Sequence, residues 1–115
     1  GEAVTEADLD GTAWVSTNVA GHDLVDETQV TMSFADGNLG FSAGCNQMSS
    51  GYEVVDGRLE LTGEVASTMM ACDAELEAQD DWLAGLLADG ADLTLAGGLI
   101  VVVDDVEIEL VEQGS

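Results

Sequence analysis

The chain is 115 residues long and 46% hydrophobic, with 24 acidic residues against one basic residue, Arg58, for a net charge of -23. Such a surface repels phosphate backbones and anionic lipid headgroups, whose binding needs Lys and Arg to displace counterions, so nucleic acid and direct electrostatic membrane binding are disfavoured. Its length gives one domain able to remove about two-thirds of its unfolded surface from water, and its hydrophobicity separates it from disordered chains.

The acids are spread through every segment, which fits adaptation to high salt better than a cation-binding face. Charge repulsion fades when the Debye length falls to about 3 Å at 1 M salt. The longest apolar run, Leu99 to Val103, has the length of a strand and is far too short to span a bilayer. The opening Gly1-Glu2-Ala3-Val4 reads as a mature or trimmed start, so a signal or lipoprotein leader is expected to have been removed.

Acidic-Gly pairs punctuate the chain. Val30, Met32 and Phe34 alternate with polar residues up to Asp36-Gly37, and 38–44 reads as the returning strand of a hairpin. Asp56-Gly57 likewise joins 52–55 to 58–62. The rhythm then changes: Leu76, Leu83, Leu86 and Leu87 recur at helical spacing, with Trp82 beside them, predicting a helix over about 74–89. Asp73 is placed to cap it, Glu75 and Glu77 suit its positive end, and Gly90 suits its stop. Beyond it, Ala96-Gly97-Gly98 joins strands at 93–95 and 99–103, and 106–110 alternates one apolar and one acidic face. The fold class is α+β, mainly β: an antiparallel meander of about seven or eight strands with one helix packed on it. No proline is available to blunt strand edges, a task left to the acids.

Reactive motifs are weak. Gly40-Phe41-Ser42-Ala43-Gly44 matches the G-x-S-x-G nucleophile elbow, but more strand signals follow it and the sole histidine, His22, precedes it. Glu6, Asp8, Asp10 and Gly11 imitate half of an EF-hand loop whose twelfth position is Thr17 instead of glutamate. His22 reads as an exposed loop residue, and exposed Asp104 and Asp105 as adventitious Ca²⁺ ligands at most. Cys45 and Cys72 are too few for a structural zinc site, and the negative surroundings raise thiol pKa values, which argues against thiol catalysis. The two are either buried thiols or one disulfide, which would close a 28-residue loop worth about 3–4 kcal/mol in the chain-entropy account and fit an oxidising compartment. Trp14, Trp82, Tyr52 and Met69-Met70 read as core. No catalytic residue, metal or cofactor is assigned.

Leu9-Asp10-Gly11-Thr12-Ala13-Trp14, then Gly44-Cys45-Asn46 with Gly51-Tyr52, then Ser67-Thr68-Met69-Met70-Ala71-Cys72 and the Trp82-Leu83 helix stand in the order of the META domain (HslJ-like) family. The chain resembles that family from about residue 9 to residue 112, leaving 1–8 and 113–115 as tails. It departs from the family pattern in having Met69 where arginine is frequent and Gln47 where a basic residue is. The resemblance implies a small, partly open antiparallel barrel packed on a helix, in an envelope-associated or secreted protein, often a lipoprotein, linked to stress instead of a defined reaction. The family-motif residues are Gly11, Thr12, Trp14, Gly44, Asn46, Gly51, Tyr52, Thr68 and Met70. Asn46 is expected to stabilise a tight turn, and Met48, Met69 and Trp82 to line a pocket. The expected function is non-enzymatic binding of a protein or a small apolar ligand by a monomer; the alternative is a purely structural, acid-coated protective domain, and more remotely a serine or thiol hydrolase.

Overall fold

The hairpins form where the acidic-Gly pairs stand. In the computed structural model, which describes residues 4–68 and 70–113, Asp36-Gly37 and Asp56-Gly57 both adopt positive φ angles (52° and 79° in each pair), the geometry of a two-residue turn. They join β2 (Thr31–Ala35) to β3 (Asn38–Ser42), and β4 (Met48–Val55) to β5 (Arg58–Leu61). Later strands follow the alternation read from the sequence: β7 (Ala91–Leu95), β8 (Leu99–Val103) and β9 (Val106–Glu112). Two further strands complete the set, β1 (Thr12–Ala20) and the two-residue β6 (Ala66–Ser67).

These strands do not end in an open sheet. The order is β3-β2-β1-β9-β8-β7-β5-β4, and β4 pairs back onto β3 through Asn38–Gly51 to Phe41–Met48. Eight antiparallel strands thus close a barrel, with β6 attached outside the ring on β4. Closure answers the edge problem posed by the missing prolines, because a closed ring has no edges to protect. β1 reaches both neighbours through a bulge between Ser16 and Asn18, which re-aims its second half along β9.

The interior is filled by side chains. Val30, Met32, Phe34, Leu39, Phe41, Leu59, Leu99, Ile108 and Leu110 are all fully buried, and the ring of Tyr52 meets that of Phe34 edge-on at 5.1 Å between centroids. Each buried residue of this size contributes about 1.5–3 kcal/mol, which holds the barrel against its own charge. Arg58 and Asp92 make the one ion pair among the described residues, and it is exposed; it adds little.

Two helices pack on the barrel. α2 (Ala74–Ala88) falls where the leucine spacing put it, with Leu83 and Leu87 inside the core. Asp73 occupies its N-cap position but its side chain makes no capping hydrogen bond. The start of α2 is held instead by the groups described below. α1 (Glu6–Leu9) is a single turn in a stretch expected to be tail: Thr5 and Asp8 form a reciprocal capping box, and Val4 and Leu9 are buried. The two helices serve opposite ends of β3. Asp10, just after α1, accepts from the Asp36 N–H before β3, while Asp80 of α2 accepts from the Ala43 N–H after it.

Candidate functional site

The irregular segments just after β3 and just before α2 are where the sequence spends its special residues. Gly44 has φ +118°, and a Cβ there would stand 3.1 Å from Thr28 Cγ2, so this exit from β3 favours glycine. Next to it Cys45 is bonded to Cys72, with their Cα atoms 6.2 Å apart. The disulfide ties the exit of β3 to the residue before the N-cap of α2.

Asn46 works across the chain, not within a local turn. Its Oδ1 accepts from the Thr68 hydroxyl at 3.0 Å and from the Met70 N–H at 2.7 Å. The same Thr68 oxygen accepts from the Gln47 N–H at 3.0 Å, and the Thr68 N–H donates to the Gln47 carbonyl. Residues 44–47 are therefore laced to Thr68, Met70 and Cys72 by one amide, one hydroxyl and one disulfide.

The helix supplies the other half of the clasp. Asp80 accepts from the Ala43 N–H at 3.3 Å and from the Asn46 N–H at 2.7 Å. It is 3% exposed, and these N–H groups take the place of a counterion. Its neighbour Gln79 donates to the Ala43 carbonyl at 2.6 Å and to Thr28 Oγ1 at 2.9 Å, and accepts from the Val25 N–H at 2.7 Å. Backbone groups that no strand pairs are thus satisfied by two adjacent helical side chains, as burial requires. Neither residue was singled out from the sequence. The signal was there: 76, 79, 80, 83 and 87 all fall on one helical face, so the leucine stripe itself places Gln79 and Asp80 inward.

Beside the clasp lies a cleft of about 600 Å³, bounded by Met48, Val65, Ser67, Thr68, Met70 and Ala71 on one side and by Glu77, Asp80, Asp81 and Ala84 of α2 on the other. Met70, expected in the core, is instead 57% exposed at this cleft. Met48 is among its lining residues. Trp82 is not: it turns to the opposite side and stacks on His22, with ring centroids 3.8 Å apart and planes 10° from parallel. His22 is accordingly half-buried, not an exposed loop residue; a contact across sixty residues leaves no local trace in the sequence. Met69 lies outside the described residues.

The remaining motif residues gather at the far end of β3. The Gly11 N–H donates to the Phe34 carbonyl at 2.6 Å, the Trp14 indole donates to Thr12 Oγ1 at 2.7 Å, and the Thr12 hydroxyl donates to the Leu9 carbonyl. Gly51 lies so close to Thr62 that a Cβ would stand 2.5 Å from its Oγ1. The Tyr52 N–H donates to the Gly37 carbonyl. Burial, then the carboxylates of Glu6 and Asp10, push the Tyr52 phenol above its ordinary pKa of 10.0. This group packs and turns the chain; it converges on no cleft shared with the clasp.

Residues 7–113 match the META domain family. The chain belongs to that family. The match begins within α1, two residues earlier than the sequence boundary at residue 9, and ends at residue 113 instead of 112. Among solved structures, an NMR structure of a protein from Burkholderia xenovorans is similar to this META domain. Its TM-score is 0.74 at 18% identity, covering 100% of this chain and 92% of that one. A second NMR structure matches with a TM-score of 0.71 at 24% identity, covering 93% of each chain. At these identities the likeness concerns the fold alone. No curated protein matches.

Ser42, the two cysteines and the acids of the half EF-hand each have another setting in this META domain. Ser42 is buried at the end of β3, followed by the clasp loop instead of a helix. Both sulfurs are consumed in one bond. Glu6, Asp8 and Asp10 each accept a backbone N–H, from Val54, Thr5 and Asp36, and Thr17 lies within β1, so the half EF-hand is a cap and two staples.

Proposed function

We propose that this META domain is a non-enzymatic binding module, acting as a monomer in the cell envelope or outside the cell, and that the cleft beside the clasp is its site. Membership of the family and the Cys45–Cys72 bond support the placement, since a disulfide persists in oxidising compartments. The observation that carries the binding role is Met70, a large apolar side chain held out at the mouth of a cleft by the hydrogen bond from its own N–H to Asn46. Its flexible thioether adapts to varied apolar surfaces, and here it adjoins the apolar side chains of Val65 and Ala84 in the same cleft. Nucleic acid and anionic membrane surfaces are poor partners for a chain of net charge -23.

A test is NMR titration of the labelled oxidised protein with a neutral apolar probe, 1-naphthalenemethanol. Shift changes confined to Met48, Val65, Met70 and Ala84, weakened by Met70→Ser, are expected. Shift changes spread evenly over the surface would count against the site. The second reading, a structural acid-coated domain, has its own support in a barrel interior filled by side chains; absence of any saturable site would favour it.

A further inference from the structure

We propose that the groove between β6 and α2 binds an extended peptide of alternating apolar and basic residues, which adds as a strand to the outer edge of β6. This rests on the cleft being the binding site and specifies what it takes.

Three observations converge on that groove. The first is an edge. Eight strands close on themselves, and β6, outside the ring, pairs among the described residues with β4 alone. Its outward groups can be assigned. The Thr68 N–H donates to the Gln47 carbonyl, and Ser67 stands opposite Met48. Successive backbone groups of a strand point to alternate sides, so the Ser67 N–H and carbonyl face away from β4. Such a free edge is a template for another strand.

The second is the opposite wall. Glu77 and Asp81 of α2 are both exposed, lie one helical turn apart and line the cleft, whose lining includes no basic residue. Held in one structure they repel; a basic residue between them relieves that repulsion. The third is the floor, where Val65, Met70 and Ala84 present apolar surface between the edge and the acids, over the buried Met48. A strand laid in the groove offers backbone groups to Ser67, alternate apolar side chains to the floor, and basic side chains to the helix. A small apolar molecule would meet the floor but leave the edge and the acids unanswered. An acidic peptide would be repelled by the whole chain, at net charge -23.

The test uses the full oxidised chain and a seven-residue probe of alternating lysine and valine, acetylated and amidated. Two control probes accompany it, one N-methylated on alternate amides and one carrying glutamate for lysine. In low-salt NMR titrations the lysine peptide is expected to shift Ser67, Met70, Glu77 and Asp81 and to slow exchange of the Ser67 amide. Ser67→Pro, which removes the outward donor and spares the pairing with β4, is expected to weaken binding about fivefold. Glu77→Gln with Asp81→Asn should weaken it about threefold to tenfold. The N-methylated peptide, which leaves the protein untouched, should also lose about fivefold on its matching edge, and the glutamate peptide should not bind. Lysine-peptide binding indifferent to N-methylation and to Ser67→Pro would mark mere charge attraction and overturn the proposal. So would absence of peptide binding while 1-naphthalenemethanol still occupies the cleft. If neither probe binds, the cleft reading falls together with it.

Discussion

The last three strands and the clasp solve the same problem in opposite ways. From Ala91 to Glu112 the chain runs β7, β8 and β9 in unbroken register, each strand pairing with the next while the outer sides of β7 and β9 pair with β5 and β1. Between β3 and β4, and again between β6 and α2, it leaves the sheet, and partners come from Asn46, Thr68, Gln79 and Asp80 side chains and from one disulfide. A regular hairpin needs little beyond alternation and a turn, so many sequences can make it. An irregular crossing needs particular atoms at particular positions. Gly44, Cys45, Asn46, Thr68 and Cys72 all stand at such crossings. The difference also locates the cleft: irregular backbone, tied down by side chains, is where a barrel with a filled interior can still offer a concave surface.

Breaking that contrast should give graded effects. The largest falls where α2 meets the core: Leu83 is 0% exposed, and Leu83→Asp would bury a charge with no cation nearby. We expect no cooperative thermal transition, whereas Leu83→Ala should fold with a loss of about 2–5 kcal/mol in urea unfolding. Replacing both Cys45 and Cys72 by serine should cost about 3–4 kcal/mol by the same measurement, since a loop spanning 27 positions is no longer closed in the unfolded chain. Asn46→Ala leaves the Met70 N–H and the Thr68 hydroxyl without their acceptor. A cost of about 1–3 kcal/mol is expected, against less than about 0.5 kcal/mol for Thr94→Ala at an exposed position of β7. An Asn46→Ala loss no larger than that of Thr94→Ala would erase the distinction between the two regions.

The smallest effect concerns pH. The phenol of Tyr52 is raised above 10.0 in the folded protein, so the fold favours its neutral form. That contribution is complete below pH 10 and is lost as pH rises through the folded-state value. Stability measured by urea unfolding should therefore decline in strongly alkaline solution, and Tyr52→Phe should flatten this part of the decline. An unchanged alkaline slope in the variant would assign the loss to other groups.

Much of this molecule was legible in its residues, for reasons that differ by element. Asp36-Gly37 and Asp56-Gly57 tolerate positive φ, so their hairpins follow from local chemistry. Leu83 and Leu87 announce a docked helix by spacing alone. What escaped was non-local or disguised. Closure of β4 onto β3 depends on the accumulated twist and tilt of eight strands, which no short window carries. The second half of β1 runs Thr17-Asn18-Val19-Ala20, too polar and bulged to read as a strand. The stack of His22 on Trp82 joins loop and helix across the fold. At the site, the cysteines and Asn46 were legible as a resemblance, but their purpose was not. Asn46 was assigned a local turn because its partners, Thr68 and Met70, lie more than twenty residues away. Gln79 and Asp80 passed unnoticed because a polar residue on a helix is ordinarily solvated.

The most direct measurement is amide hydrogen exchange by NMR on the oxidised and the reduced protein, under conditions where both remain folded. If residues 44–47 are clasped to Thr68, Met70 and Cys72, reduction should speed exchange at Thr68 and Met70 by a larger factor than at Val101 and Ile108, in β8 and β9. Equal acceleration at all four amides, or none at Thr68 and Met70, would contradict it.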